Sequence, residues 1–240
     1  MSDPSGRPVF QVGQAFSWAA SSLRGDFLPF IVLAALPMLF TAAQGIGTAS
    51  LQNVLIDCIN PQSPGQENAC AAALSPAALA PVLLSMVLVF AAYVAQLGVI
   101  RGAVGRMRGR SPSFADMLEP ANTGSFVLYV LVFRLLFFVG LALCILPGLL
   151  VLVFFQFGPY FILDRGLSAR QAARASARLA ARNLGPVAVV AMIAGLLELI
   201  GGLFFGIPLL LTLPFAALFT AWAYRQLSDD QRQWSDEPAV

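Results

Sequence analysis

Two apolar runs, Ser125 to Cys144 and Leu149 to Leu163, lie back to back, parted by Leu146-Pro147-Gly148 and holding a single charge, Arg134. An α-helix rises about 1.5 Å per residue and a bilayer core is about 30 Å thick, so roughly 20 apolar residues cross it. Each run is near that length. Proline cannot continue a helix's hydrogen bonding and glycine tolerates a tight turn, which predicts a break at 147–148 and a transmembrane hairpin. Composition agrees: 58% of residues are hydrophobic and 11% charged, against about a quarter charged in soluble domains, so lipid is the main solvent.

The same pattern recurs on either side. Phe27 to about Thr48, kinked at Pro37, pairs with Ala77 to Ile100; Val187 to Phe205 pairs with Pro208 to Tyr224, turning at Gly206-Ile207-Pro208 with Pro214 in the second arm. The predicted fold class is therefore all-α: a polytopic membrane protein of six transmembrane helices, with amphipathic interfacial helices before the hairpins. Residues 1–26 form an N-terminal segment with its interfacial helix, 27–224 the six-span domain, and 225–240 an acidic, disordered tail. Within the spans, 52–75 is a polar loop and 164–185 a basic helix.

Ahead of the first hairpin, Val9, Val12, Phe16, Ala19 and Leu23 recur in steps of three and four, which is one face of a helix. Trp18 sits beside that stripe, as at a membrane interface. Ser111-Pro112 predicts the start of a second, very short helix carrying Phe114, Met117 and Leu118 on one face. Ser168 and Gln171 are spaced as a capping box for a third. The first apolar run starts only at Phe27, which predicts an uncleaved first helix, although Thr41-Ala42-Ala43 would mimic a signal cleavage site. Interfacial helix plus two spans thus recurs at 9–100, 111–163 and 168–224, and Asn122-Thr123-Gly124 and Asn183-Leu184-Gly185 open the second and third hairpins alike. Internal duplication accounts for this; so does the layout that any in-out-in hairpin adopts.

Charge sets the orientation. Arg7, Arg24, Arg101, Arg106, Arg108, Arg110, Arg165, Arg170, Arg174, Arg178, Arg182, Arg225 and Arg232 all fall on one side of a six-span layout, and none falls in the 52–75 loop or the tight turns. The positive-inside rule makes that side cytoplasmic, with both termini there, in a bacterial inner membrane. The 52–75 loop then faces an oxidising compartment, where Cys58 and Cys70 close a disulfide; two unpaired thiols are the other reading. Cys144, near the central turn, is expected to pack.

Every basic residue is an arginine, a usage that follows from a GC-rich genome, and there is neither lysine nor histidine. That excludes serine–histidine and cysteine–histidine pairs, histidine-ligated metals and haem, P-loops and Schiff bases. A net charge of +2 argues against a nucleic-acid surface. No cluster has metal-ligand spacing, and no cofactor motif occurs. Two charges lie inside spans, Arg134 and Glu198. Counted from Pro147 and Pro208 they sit about three residues, roughly 4.5 Å, apart in depth, so they can pair. A structural salt bridge between hairpins is the preferred reading and a coupling site in a transport path the sharper one. Gln96 and Gln156 are the other polar residues there. Arg170, Arg174, Arg178 and Arg182 recur every fourth residue and form one stripe of like charge. Anionic lipid headgroups would face it, then an acidic protein surface, or water alone.

Pro147-Gly148, Gly158-Pro159-Tyr160, Asp164 and the segment Ala172 to Asn183, with its Arg-Ala-Ser-Ala-Arg core, resemble a broad group of bacterial six-helix membrane proteins. That group includes the membrane domain attached to some glycerophosphodiester phosphodiesterases. The likeness is clearest over 124–186. It implies the fold; the phosphodiesterase reaction of those proteins belongs to a separate soluble domain, so no catalytic residue carries over. The expected function is non-enzymatic: a structural or accessory inner-membrane component that contacts anionic lipid or a larger membrane complex. A small-solute or lipid transporter or channel using Arg134 and Glu198 is the alternative, and a lipid-directed enzyme a more distant one.

Overall fold

The computed structural model describes residues 11–59, 76–113, 115–203 and 208–235, and among these there is no strand. The helices are α1 (Val12–Gly25), α2 (Phe27–Ile59), α3 (Pro76–Met107), α4 (Ala115–Leu118), α5 (Thr123–Leu143), α6 (Ile145–Phe155), α7 (Gly158–Arg165), α8 (Ala169–Arg182), α9 (Leu184–Leu203) and α10 (Leu209–Ser235). Four stretches are long and apolar enough to cross a membrane: Leu83–Met107, Thr123–Leu143, Ile145–Arg165 and Leu184–Gly202. A fifth is reached if α1 and the Phe27–Ala43 part of α2, bent by 94° at their junction, count as one. Their outer surfaces are apolar, with Leu83, Met86, Leu135, Phe138, Leu149 and Leu196 all exposed. Water would not tolerate so much contiguous apolar surface.

The helices pair as three hairpins, α2 with α3, α5 with α6–α7, and α9 with α10, each packed most extensively within itself. A shorter helix, α1, α4 or α8, precedes each, so the element order repeats three times. The shared core sits toward the arginine-rich end. There Phe30, Leu33, Leu97, Phe126, Phe161 and Phe219 are fully enclosed, and Tyr224 stacks among Phe157, Tyr160 and Phe161 with ring centroids 6.4, 5.9 and 4.9 Å away.

Several local expectations are corrected. The central hairpin turns at Cys144, whose extended backbone ends α5, and not at Pro147-Gly148. Pro147 lies in the first turn of α6, where a missing N–H costs nothing because that N–H would have no helical partner. Cys144 is exposed instead of packed. Gly148 serves close approach: a Cβ on Gly140 would lie 2.8 Å from the Gly148 nitrogen, and one on Gly148 2.8 Å from Leu141. Gly140→Leu is accordingly expected to force α5 and α6 apart and destabilise by about 1–3 kcal/mol, the usual range for overpacking. Thermal unfolding of the purified variant in detergent reads this, and an unchanged midpoint would refute it.

α2 runs on to Ile59, through residues expected to be loop, because Leu51, Val54, Leu55 and Ile59 keep helical spacing. Cys70 lies outside the described residues, and with it the Cys58–Cys70 pairing. α10 continues to Ser235, into the segment expected to be disordered. α4 begins at Ala115 rather than at Pro112, its entry held by Asp116, whose carboxylate accepts from the Ser113 N–H at 2.8 Å and from Arg110 at 3.1 Å. In α1 the enclosed face is Ala15, Ala19, Ser22 and Leu23; Phe16 stays partly exposed while its ring meets Phe215 and Phe219 at 5.3 and 5.2 Å.

Candidate functional site

The third candidate span is broken at Gln156-Phe157, between α6 and α7. Pro159 has no N–H to return to the Phe155 carbonyl, and that carbonyl accepts from the Tyr129 hydroxyl of α5 instead. The Phe154 carbonyl accepts from the Ser176 hydroxyl of α8 at 2.8 Å. Gln156 donates its amide N–H to the Val187 carbonyl of α9 at 2.9 Å. Two neighbours, α5 and α8, thus satisfy carbonyls freed at the break, as a helix interrupted in a membrane requires, and the Gln156 side chain ties the break to α9.

Beside this break lies a cavity of about 150 Å³ whose wall includes Gln96, Arg134, Gln156, Tyr160, Glu198 and Thr220. All three hairpins contribute to it. A second cavity, about 210 Å³, opens between α3 and α5; Met86, Val89, Phe90, Val127, Leu131 and Phe138 give it an apolar wall. Arg134, with Phe126 and Val130, borders both. The two intramembrane charges expected from sequence therefore reach one space, but they are not in ion-pair contact. The described ion pairs are Arg106–Asp26, Arg108–Asp164 and Arg110–Asp116. The Arg134 guanidinium instead lies over the Tyr93 ring, 4.4 Å from its centroid, with Phe133 at 5.8 Å. Its Nε is buried with no hydrogen-bond partner among the described residues.

The stripe on α8 is arranged as its spacing predicts. The N-terminus is closed by Gln171, whose amide oxygen accepts from the Ser168 N–H at 3.1 Å and the Ser168 hydroxyl at 2.9 Å. Ala172, Ser176, Leu179 and Ala180 are buried against the bundle. Arg170, Arg174, Arg178 and Arg182 all project outward, exposed, and none belongs to a described ion pair.

A polar layer at the arginine-rich end could not be read from the sequence. Asp164 of α7 takes Arg108, the residue after α3, at 2.7 Å and the Tyr224 hydroxyl of α10 at 2.9 Å, joining the three hairpins. Arg225 donates to the Met107 carbonyl at 2.9 Å, and Arg106 meets Asp26 at the α1–α2 corner at 2.8 Å. Arg101, only 5% exposed, donates to the Asp116, Glu119 and Ala121 carbonyls and to the Thr123 hydroxyl. Position alone counted these arginines as topology signals; their partners lie 15 to 118 residues away, and no local spacing marks such pairs.

Fold and surface together define an all-α protein with several helices fit to cross a membrane. Among known proteins the chain is 27% identical over 237 residues to the uncharacterised protein Mb2590 of Mycobacterium bovis, a match covering 96% of this chain and 72% of the relative. The uncharacterised proteins MT2637 and Rv2560 of Mycobacterium tuberculosis match with the same identity and coverage. No family model and no solved structure matches the chain.

Proposed function

We propose that this is a six-span, non-enzymatic protein of the bacterial inner membrane, with both termini cytoplasmic, that serves as a structural or accessory component and holds anionic lipid headgroups through α8. The observation that carries this is the α8 stripe: four exposed guanidinium groups without described counter-ions, on a helix fixed by its opposite face. Anionic headgroups attract each such group by about 1 kcal/mol near a membrane surface. An acidic face of a larger membrane complex would use the same stripe. The count of six rests on α2 and α10, each paired along a helix of spanning character, α3 and α9. The likeness of 124–186 to the membrane domains of glycerophosphodiester phosphodiesterases supports the same layout.

Replacing Arg170, Arg174, Arg178 and Arg182 together by glutamine tests it. The variant, purified from membranes holding equal phosphatidylglycerol and phosphatidylcholine, is expected to lose most of the phosphatidylglycerol that the native protein retains, read by mass spectrometry of bound lipid. The native preference should also fade as salt is raised. Equal retention by both proteins would dismiss the lipid role.

The cavity favours a second reading. Arg134 and Glu198 border one space without touching, which suits a site that handles a solute or lipid better than it suits a structural bridge. Flux across proteoliposomes, lost on substitution of either charge, tests that reading.

A further inference from the structure

Two cavities that share a wall at Phe126, Val130 and Arg134, and the two charges on them, specify the chemistry of an occupant. Arg134 is the twelfth residue of a 21-residue helix, so its charge lies near the middle of that span. A cation at that depth is costly unless it is paired, and contact with the Tyr93 face offsets only about 0.5–2 kcal/mol. Its buried Nε leaves a donor unspent. Across the same space stands a carboxylate, Glu198, with Gln96, Gln156 and Thr220 as further polar lining. A ligand carrying only an anion would meet Glu198 as a like charge. One carrying only a cation would meet Arg134. A ligand carrying both would complement the pair, and the apolar cavity on the other side of Arg134, walled by Met86, Phe90 and Phe138, would take an alkyl portion.

We propose that the two cavities together bind a single zwitterionic amphiphile from the membrane, its anionic group on Arg134, its ammonium on Glu198 and its alkyl chain in the adjoining cavity between α3 and α5. The proposal rests on the solute- or lipid-handling reading of the same cavity, and it is independent of the α8 stripe. Gly195 supplies a clean probe. It lines the cavity, and a Cβ built on it meets nothing within 4 Å. Gly195→Phe therefore starts a bulky side chain from the cavity wall without removing either charge.

The full chain is purified in a non-ionic detergent, equilibrated with phosphatidylethanolamine, phosphatidylglycerol or free phosphoethanolamine, and examined by native mass spectrometry. One phosphatidylethanolamine per protein is expected to be retained, falling at least ten-fold in Arg134→Gln, in Glu198→Gln and in Gly195→Phe. Phosphatidylglycerol held on α8 should ignore Gly195→Phe and respond to the fourfold arginine variant. Where a charge variant fails to fold, Gly195→Phe decides. Retention of phosphatidylethanolamine undiminished by Gly195→Phe overturns the proposal. So does phosphatidylglycerol bound with the same sensitivity to Gly195→Phe, or displacement of the lipid by free phosphoethanolamine at equal concentration. Flux of labelled phosphatidylethanolamine across proteoliposomes is measured separately: binding without flux supports the site and removes the transport reading alone.

Discussion

Gly158→Val is expected to leave little folded protein. A Cβ at this position would lie 1.9 Å from Cζ and 2.1 Å from the hydroxyl of Tyr129, so any side chain must expel that ring. Tyr129 is 4% exposed and its hydroxyl is the donor to the Phe155 carbonyl that Pro159 cannot serve. Losing that donor leaves a buried carbonyl unpaired, at about 1–3 kcal/mol, and the displaced ring overpacks the core at about 1–3 kcal/mol more. The sum is a large share of the roughly 5–15 kcal/mol that holds a typical domain together. A double-mutant cycle checks the cause: Gly158→Ala should destabilise by several kcal/mol in the native background and by almost nothing once Tyr129→Ala has emptied the space. Additive effects in detergent unfolding would mean that Gly158 matters for its backbone and not for Tyr129.

Glycines at close contacts also mark where sequence reading ran out. The three hairpins were legible, because runs of about 20 apolar residues broken by proline and glycine admit few structures in a bilayer. The turn of the central one was misplaced, since Pro147 and Gly148 are equally at home in a helix's first turn and at a helix crossing, and only the partner helix decides. Counting residues from Pro147 and Pro208 brought Arg134 and Glu198 to one level, and they do border one cavity. Counting gives depth and no azimuth, so it led to an expected salt bridge where the two side chains border a space without ion-pair contact. The α8 stripe was legible entirely from its four-residue period. The polar layer was not: Asp164 joins Arg108 and Tyr224 across 56 and 60 residues, and the sequence marks such pairs only as charges near span ends.

The largest consequence of that layer is expected at Arg101. Arg101→Met should destabilise the protein by about 2–4 kcal/mol and loosen the connection between α3 and α5 before the bundle melts. α4 is a single turn, Ala115–Leu118, and so short a helix cannot satisfy its own last carbonyls. Arg101 takes the Asp116 carbonyl inside it and the Glu119 and Ala121 carbonyls just past it with one planar fork. Asn122 follows in the left-handed region, at φ 60°, a conformation asparagine tolerates better than most residues. Arg101 brackets it, with the Ala121 carbonyl on one side and the Thr123 hydroxyl on the other. The fork therefore fixes the angle at which α5, and Arg134 with it, enters the bundle. Lysine carries the charge but not the fork, so Arg101→Lys should recover less than half of the loss. Limited proteolysis with trypsin separates this from a simple loss of packing: cutting at Arg108 and Arg110 should rise at temperatures where α5 to α10 remain resistant. A melt that falls with no new cleavage there would place the role of Arg101 in holding α3 to its neighbours, and the entry angle of α5 would have to be set by something else.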